Sequence, residues 1–200
     1  MVIMNKYDWI FFDFDGTLVD SFSILYDVYD EFLKDFGKNG SKKEFESING
    51  PTTQEIIIQL KKTHNLSPSN SELLFNYTKK IEDAYVNKIQ PFNDRTKLLE
   101  DLSNDGFKLA VVTSASKKIV NNFFKKYDWN TFFKIIVTGD EVVYSKPQPE
   151  IYEKCWKKTS SSKNRILVLE DSKNGYKSAI NAGLKCIVIN ENIDKNIFYE

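Results

Sequence analysis

One histidine, two cysteines, no excess charge of either sign and no long apolar run are the first features of this 200-residue sequence. Lys+Arg and Asp+Glu each number 28, so the formal net charge is zero and no overall field draws nucleic acid or an anionic membrane. Cys155 and Cys186 fit neither a zinc nor a dithiol spacing, and the reading is a reducing compartment with both thiols buried as small hydrophobes. His64 alone excludes a Cys₂His₂ finger. It lies in the polar Thr63-His64-Asn65 stretch with no nucleophile elbow in the chain, which argues against a Ser-His-Asp triad and for an exposed helix-end residue. Apolar runs such as Phe132-Phe133 and Ile135-Ile136-Val137 fall far short of a membrane span. The opening Met1–Asp8 lacks the basic-then-apolar order of a secretory leader. A cytoplasmic monomer with no nucleic-acid or membrane partner is the expectation.

What is present is ordinary globular material: 41% hydrophobic beside 28% charged residues, enough for one domain or one domain carrying an insert. Five runs read as strands covered on both faces, because they are apolar throughout rather than alternating: Trp9–Asp13, Phe107–Thr113, Lys134–Thr138, Arg165–Glu170 and Lys185–Ile189. Helical patterns of crossover length lie between the later ones, over Lys117–Tyr127, Ile151–Lys158 and Tyr176–Ala182, with Lys97–Leu102 before them. Strands alternating with helices predict an α/β, doubly wound parallel sheet.

Residues 20–90 break that alternation, with no strand expected there. Phe22, Leu25, Tyr29, Phe32, Leu33 and Phe36 keep helical spacing up to Gly37, and Asp20-Ser21 reads as the cap of that helix. Thr52-x-x-Glu55 and Ser69-x-x-Glu72 match the capping box that opens a helix. The economical reading is a helical cap domain over 20–90, inserted into a catalytic core made of 1–19 and 91–200. Paired lysines such as Lys42-Lys43 and Lys79-Lys80 are interleaved with acids and read as solvated helix faces.

In an open parallel sheet, ligands bind beyond the carboxyl ends of the strands. Those ends carry Asp13-Phe14-Asp15-Gly16-Thr17, then Thr113-Ser114, then Lys146-Pro147 after the third strand, and Glu170-Asp171-Ser172. Crowded carboxylates repel, so such a rim calls for a divalent cation, and all-oxygen donors favour Mg²⁺.

The stretch Phe12-Asp13-Phe14-Asp15-Gly16-Thr17-Leu18-Val19-Asp20-Ser21 resembles the first motif of the haloacid dehalogenase-like hydrolases. Val112-Thr113-Ser114, Ser145-Lys146-Pro147-Gln148-Pro149-Glu150-Ile151-Tyr152 and Leu169-Glu170-Asp171-Ser172-Lys173-Asn174-Gly175 resemble the other three, in order. The resemblance implies Asp13 as nucleophile toward phosphorus and Asp15 as general acid and base. It implies Mg²⁺ on Asp13, Asp171 and the Asp15 backbone carbonyl, with Glu170 acting through water. Lys146 would neutralise Asp13 and the phosphoryl oxygens, and Gly16 with Thr113 or Ser114 would bind them. The fourth motif looks most like the β-phosphoglucomutase and phosphoglycolate phosphatase branch, and Gly50-Pro51 resembles a substrate loop of capped phosphatases. Mutases of that branch carry a histidine near the place of Leu25, so hydrolysis of a small phosphorylated metabolite is the leading expectation. Phosphotransfer of the mutase kind is the alternative, and a non-catalytic phosphate-binding or interaction module the third.

Overall fold

The computed structural model describes residues 6–189 and 192–199, so most of the opening stretch read for a leader, Met1–Asn5, lies outside the described residues. Its centre is a five-stranded parallel sheet of β1 (Trp9–Phe12), β4 (Lys108–Val112), β5 (Phe133–Val137), β6 (Ile166–Glu170) and β7 (Lys185–Val188), in the order β5-β4-β1-β6-β7. Each expected strand is present to within a residue at either end. The chain winds outward from β1 through β4 to β5, then returns to the other side of β1 for β6 and β7. Strand order therefore reverses at β1, which puts the crevice of a doubly wound sheet beyond its carboxyl end.

Alternation along the strands sends side chains to opposite faces. Ile10, Phe12, Leu109, Val111, Leu167 and Leu169 pack on one side with α5 (Arg95–Asn104) and α6 (Lys117–Lys126). Trp9, Phe11, Ala110, Val112, Ile166 and Val168 pack on the other with α7 (Glu150–Lys157) and α8 (Lys173–Asn181). The edges differ from the expectation of two covered faces: Ile135, Ile136, Cys186 and Ile187 are only half-buried, because β5 and β7 each have one strand neighbour. Cys155 is buried as expected, but Cys186 is not, for the same reason. Beyond β7, a short 3₁₀ turn over Lys195–Phe198 returns Phe198 to the core, its ring 6.2 Å from that of Phe107.

Four helices follow β1: α1 (Phe22–Lys34), α2 (Lys42–Ser47), α3 (Thr53–His64) and α4 (Asn70–Asn87). The Thr52 hydroxyl accepts from the Glu55 N–H and the Glu55 carboxylate accepts from the Thr52 N–H, closing the capping box. Ser69 caps α4 through the Glu72 N–H at 3.2 Å. Ser21 occupies the cap position of α1 but makes no side-chain capping bond. Val28, Tyr29, Phe32 and Leu33 of α1 join the same buried cluster as Leu60, Leu73 and Tyr77, which is continuous with the sheet's apolar face.

Two expectations in this segment are corrected. Val19–Asp20 (β2) and Gln90–Pro91 (β3) form a two-residue antiparallel ladder, too short to leave any periodicity in the sequence. His64 is not exposed: its Nε2 sits 3.0 Å from both carboxylate oxygens of Glu44, which tie the end of α3 to α2. No helix of the described residues is long and apolar enough to cross a membrane.

Candidate active site

Asp13 is the first residue past β1 and its N–H donates to the Leu169 carbonyl at 3.0 Å, which prolongs the sheet into the site. The chain then folds back on itself. The Phe14 carbonyl accepts from Leu18 at 2.8 Å and from Val19 at 3.1 Å, and Gly16 takes φ +72°, a conformation costly for any residue with a Cβ. This turn lets Asp13 and Asp15, two apart, both line one cavity. The buried Arg95 holds the loop from behind, donating from Nε to the Thr17 carbonyl at 2.7 Å.

Lys146 reaches the same point from the segment before α7. Its ammonium donates to Asp13 Oδ1 and Glu170 Oε1, both at 2.6 Å, and to the Val112 carbonyl at 3.1 Å. Burial alone would lower this lysine, but Asp13 and Glu170 together hold it above its ordinary range, so it stays charged. Glu170 is fully buried and fully engaged. Oε1 also accepts from the Tyr152 hydroxyl at 2.8 Å, and Oε2 accepts from the Ser172 N–H at 3.2 Å and hydroxyl at 3.0 Å.

Asp13, Glu170 and Asp171 each bring one carboxylate oxygen within 4.8 Å of the others. Burial, reinforced by the Glu170 charge, pushes the Asp13 carboxyl well above the usual range, with Lys146 opposing. The same two causes push Asp171 up to about 7. Asp171 Oδ1 is buried with no hydrogen-bond partner among the described residues. A Cβ at Gly16 would lie 2.1 Å from Asp171 Oδ2, so only glycine leaves room for that carboxylate. Three crowded oxygen donors, one of them an orphan, with a single lysine against them, make a set that suits a hard divalent cation such as Mg²⁺.

Thr113 and Ser114 separate clearly. The Ser114 hydroxyl donates to the Gly50 carbonyl at 2.5 Å, whereas Thr113 Oγ1 accepts from the Ala115 N–H at 3.0 Å and keeps its own proton to give. Gly50 belongs to the loop between α2 and α3, and the neighbouring Asn49 carbonyl accepts from Asn174 Nδ2 at 2.7 Å. The loop between α2 and α3 thus meets the carboxyl end of the sheet through two main-chain carbonyls.

The matching family model is that of the haloacid dehalogenase-like hydrolases, and it covers residues 10–189. The chain belongs to this family. Among relatives of this haloacid dehalogenase-like hydrolase, the pyrophosphatase PpaX of Halalkalibacterium halodurans is 28% identical over 90% of this chain and 82% of its own length. A phosphorylated carbohydrates phosphatase of Thermotoga maritima is 26% identical over 89% and 82%. CbbY from Rhodobacter sphaeroides, solved with phosphate, has the same fold at TM-score 0.80, with 24% identity over 92% of this chain and 86% of that one.

The haloacid dehalogenase-like residues quoted from the sequence therefore converge at one rim. Three further residues escaped it. Tyr152 lies inside a quoted motif but its phenol is seen only in contact with Glu170. Asn174 reaches a loop 125 positions away. Tyr85, near the end of α4, donates its hydroxyl to Asp15 Oδ1 and stacks on Phe14 with ring centroids 6.0 Å apart. Burial holds the Asp15 carboxyl above its ordinary value, and this hydrogen bond opposes the rise without cancelling it. Nothing in the local sequence marks Tyr85, since it reads as one more aromatic on an amphipathic helix.

Proposed function

We propose that this chain is a phosphatase of small phosphorylated metabolites that works through an aspartyl-phosphate on Asp13 and requires Mg²⁺. The observation that carries the reading is the pairing of two carboxylates with different partners. Asp13 faces the Lys146 ammonium and Asp15 faces the Tyr85 hydroxyl. One is set up to attack and the other to move a proton.

In the first displacement an Asp13 oxygen forms a bond to phosphorus as the ester P–O bond breaks, and Asp15 gives its proton to the departing alkoxide. In the second, water attacks phosphorus and the acyl phosphate bond breaks. Asp15 takes the water proton, and inorganic phosphate and both acids are restored. Lys146 and the Thr113 hydroxyl stabilise the charge on the transferring oxygens. Asp13, Asp171 and the Asp15 carbonyl would hold Mg²⁺, and Glu170, whose acceptor sites are all taken by Lys146, Tyr152 and Ser172, would contribute its charge and fix Lys146 beside Asp13. When bound, the ion neutralises the acidic cluster and the phosphoryl charge. The helices over 20–90 act as a cap on the core of 1–19 and 91–200, closing through Gly50 and Asn49 and excluding water.

Phosphate release from a panel of monoesters tests this reading directly. Chelation is expected to lower the rate at least about a hundredfold, with Mg²⁺ restoring it. Full activity in chelator would remove the metal from the scheme. Tyr85→Phe tests the proton path. Losing a hydrogen bond to a charged group costs roughly 1.5–3 kcal/mol, so turnover of an alkyl phosphate should fall about tenfold or more. p-Nitrophenyl phosphate, whose leaving group needs little protonation, should be almost unaffected. An equal loss on both esters would mean that Tyr85 serves only packing.

A further inference from the structure

Resting on that reading of the strand ends, the cavity above them allows the leaving group to be specified. The space over Asp13 and Asp15 is about 110 Å³, small beside the roughly 300–1,000 Å³ of common ligand pockets. Its far wall comes from the helical insert and is apolar: Leu25, Phe45, Ile48, Ile56 and Ile81. The polar side chains there, Asn49, Thr53, Tyr77 and Tyr85, are all neutral.

Among the described residues lining this space, the charged ones are Asp13, Asp15 and Lys146, all on the floor. The lysine is already shared between Asp13 and Glu170. With the transferring phosphoryl group and its Mg²⁺ taking up the floor, a second phosphate or a carboxylate on the substrate would meet hydrocarbon and neutral polar side chains, with no further cation among the described residues lining this space. Taking such an anion out of water without a counter-charge is strongly unfavourable. A compact alcohol loses little on entry, gains the apolar wall, and finds the Thr53 hydroxyl and Asn49 amide for one or two hydroxyls.

We propose that the substrate is a monoester whose leaving alcohol is small and uncharged, carrying a single phosphoryl group and no carboxylate. Pyrophosphate, phosphoglycolate and bisphosphorylated sugars are poor substrates on this assignment. This selectivity belongs to the insert's wall and not to the acids that do the chemistry, so the two are separable by substitution.

The test compares kcat/KM for propyl phosphate and glycerol 1-phosphate with that for phosphoglycolate, pyrophosphate and fructose 1,6-bisphosphate, using wild-type protein with Mg²⁺ and p-nitrophenyl phosphate as reference. The neutral esters are expected to lead by tenfold or more. Equal or better turnover of any of the three anionic substrates would overturn the proposal while leaving the phosphatase reading intact. No turnover of any ester, p-nitrophenyl phosphate included, would overturn that reading and the proposal with it. Ile56→Arg, which sets a cation on the wall, should move the ratio of phosphoglycolate to propyl phosphate at least tenfold toward phosphoglycolate. Ile81→Lys provides the same readout from α4. If both variants fold, as judged by thermal melting, and neither moves the ratio, the leaving group does not sit against this wall.

Discussion

Asp13→Asn protein should fold, melt no lower than wild type in chelator, and release phosphate on the order of 10⁴-fold more slowly. The loss follows from the chemistry. An amide oxygen does not displace an alkoxide from phosphorus, and the neighbouring carboxylates are committed elsewhere: Asp15 to Tyr85, Glu170 to four donors and, on the proposed reading, Asp171 to the metal. The stability half follows from the charges. Burial and the Glu170 carboxylate raise the folded-state Asp13 carboxyl well above its ordinary value, with only Lys146 pulling the other way. For an acid shifted upward on folding, stability is greatest while it is protonated and declines as pH rises toward the folded-state value. The metal-free protein near neutrality is therefore on the costly side, and a neutral residue of the same shape relieves it. The Asn oxygen still accepts from Lys146, so the lysine keeps a partner. Phosphate-release assays and thermal melts in chelator measure the two halves. Activity above a tenth of wild type would remove Asp13 from the nucleophile's place.

Gly175→Ala is expected to damage the fold itself, by on the order of 3–5 kcal/mol, the cost of breaking a buried ion pair. A Cβ at 175 would lie 1.8 Å from Glu170 Oε1 and 2.1 Å from Oε2. Glu170 has nowhere to retreat, since Lys146, Tyr152 and Ser172 hold both oxygens and the residue is fully buried. Displacing it takes from Lys146 one of its two carboxylate partners and leaves Asp13 alone to balance the ammonium, so activity should fall along with stability. The Ser172 cap of α8 is also at risk, as its hydroxyl accepts from the Gly175 N–H at 3.0 Å. Urea unfolding reports the first effect. Asn174→Ala, one position earlier, is the control: it removes the bond to the Asn49 carbonyl without crowding Glu170, and should leave the unfolding midpoint nearly unchanged. A Gly175→Ala protein as stable as wild type would show that Glu170 has freedom its contacts deny.

The contrast between Gly175 and Tyr85 explains what could be read in advance. Gly175, Asp13, Asp15, Lys146, Glu170 and Asp171 sit in short segments at strand ends, where an apolar run and its flanking polar residues declare both the element and its outlet. The parallel sheet was legible for the same reason. Tyr85 meets Asp15 across 70 positions, and helical periodicity says that it is buried without saying against what. Thr113 and Ser114 were indistinguishable in sequence because the deciding partner, the Gly50 carbonyl, is 64 positions away. α8 starts at Lys173, three residues before the Tyr176 that the sequence pattern suggests, since Gly175 looks like a helix breaker until its crowding against Glu170 is seen. Glu170 shows the limit of motif reading. The resemblance supplied a metal-shell role, while the contacts add the task of fixing Lys146 beside Asp13.

The small ladder of Val19 with Pro91 has a consequence of its own. The chain leaves the sheet and comes back to it at adjacent points, clamped like the two ends of a noose. An excursion anchored in this way can lengthen, shorten or be exchanged at a cost that rises only with the logarithm of its length. The strands on either side do not register what hangs from the clamp, provided it covers the apolar face it rests on. New clienteles of esters are then reachable by trading the excursion alone, provided the replacement again offers Asp15 a donor where Tyr85 now stands.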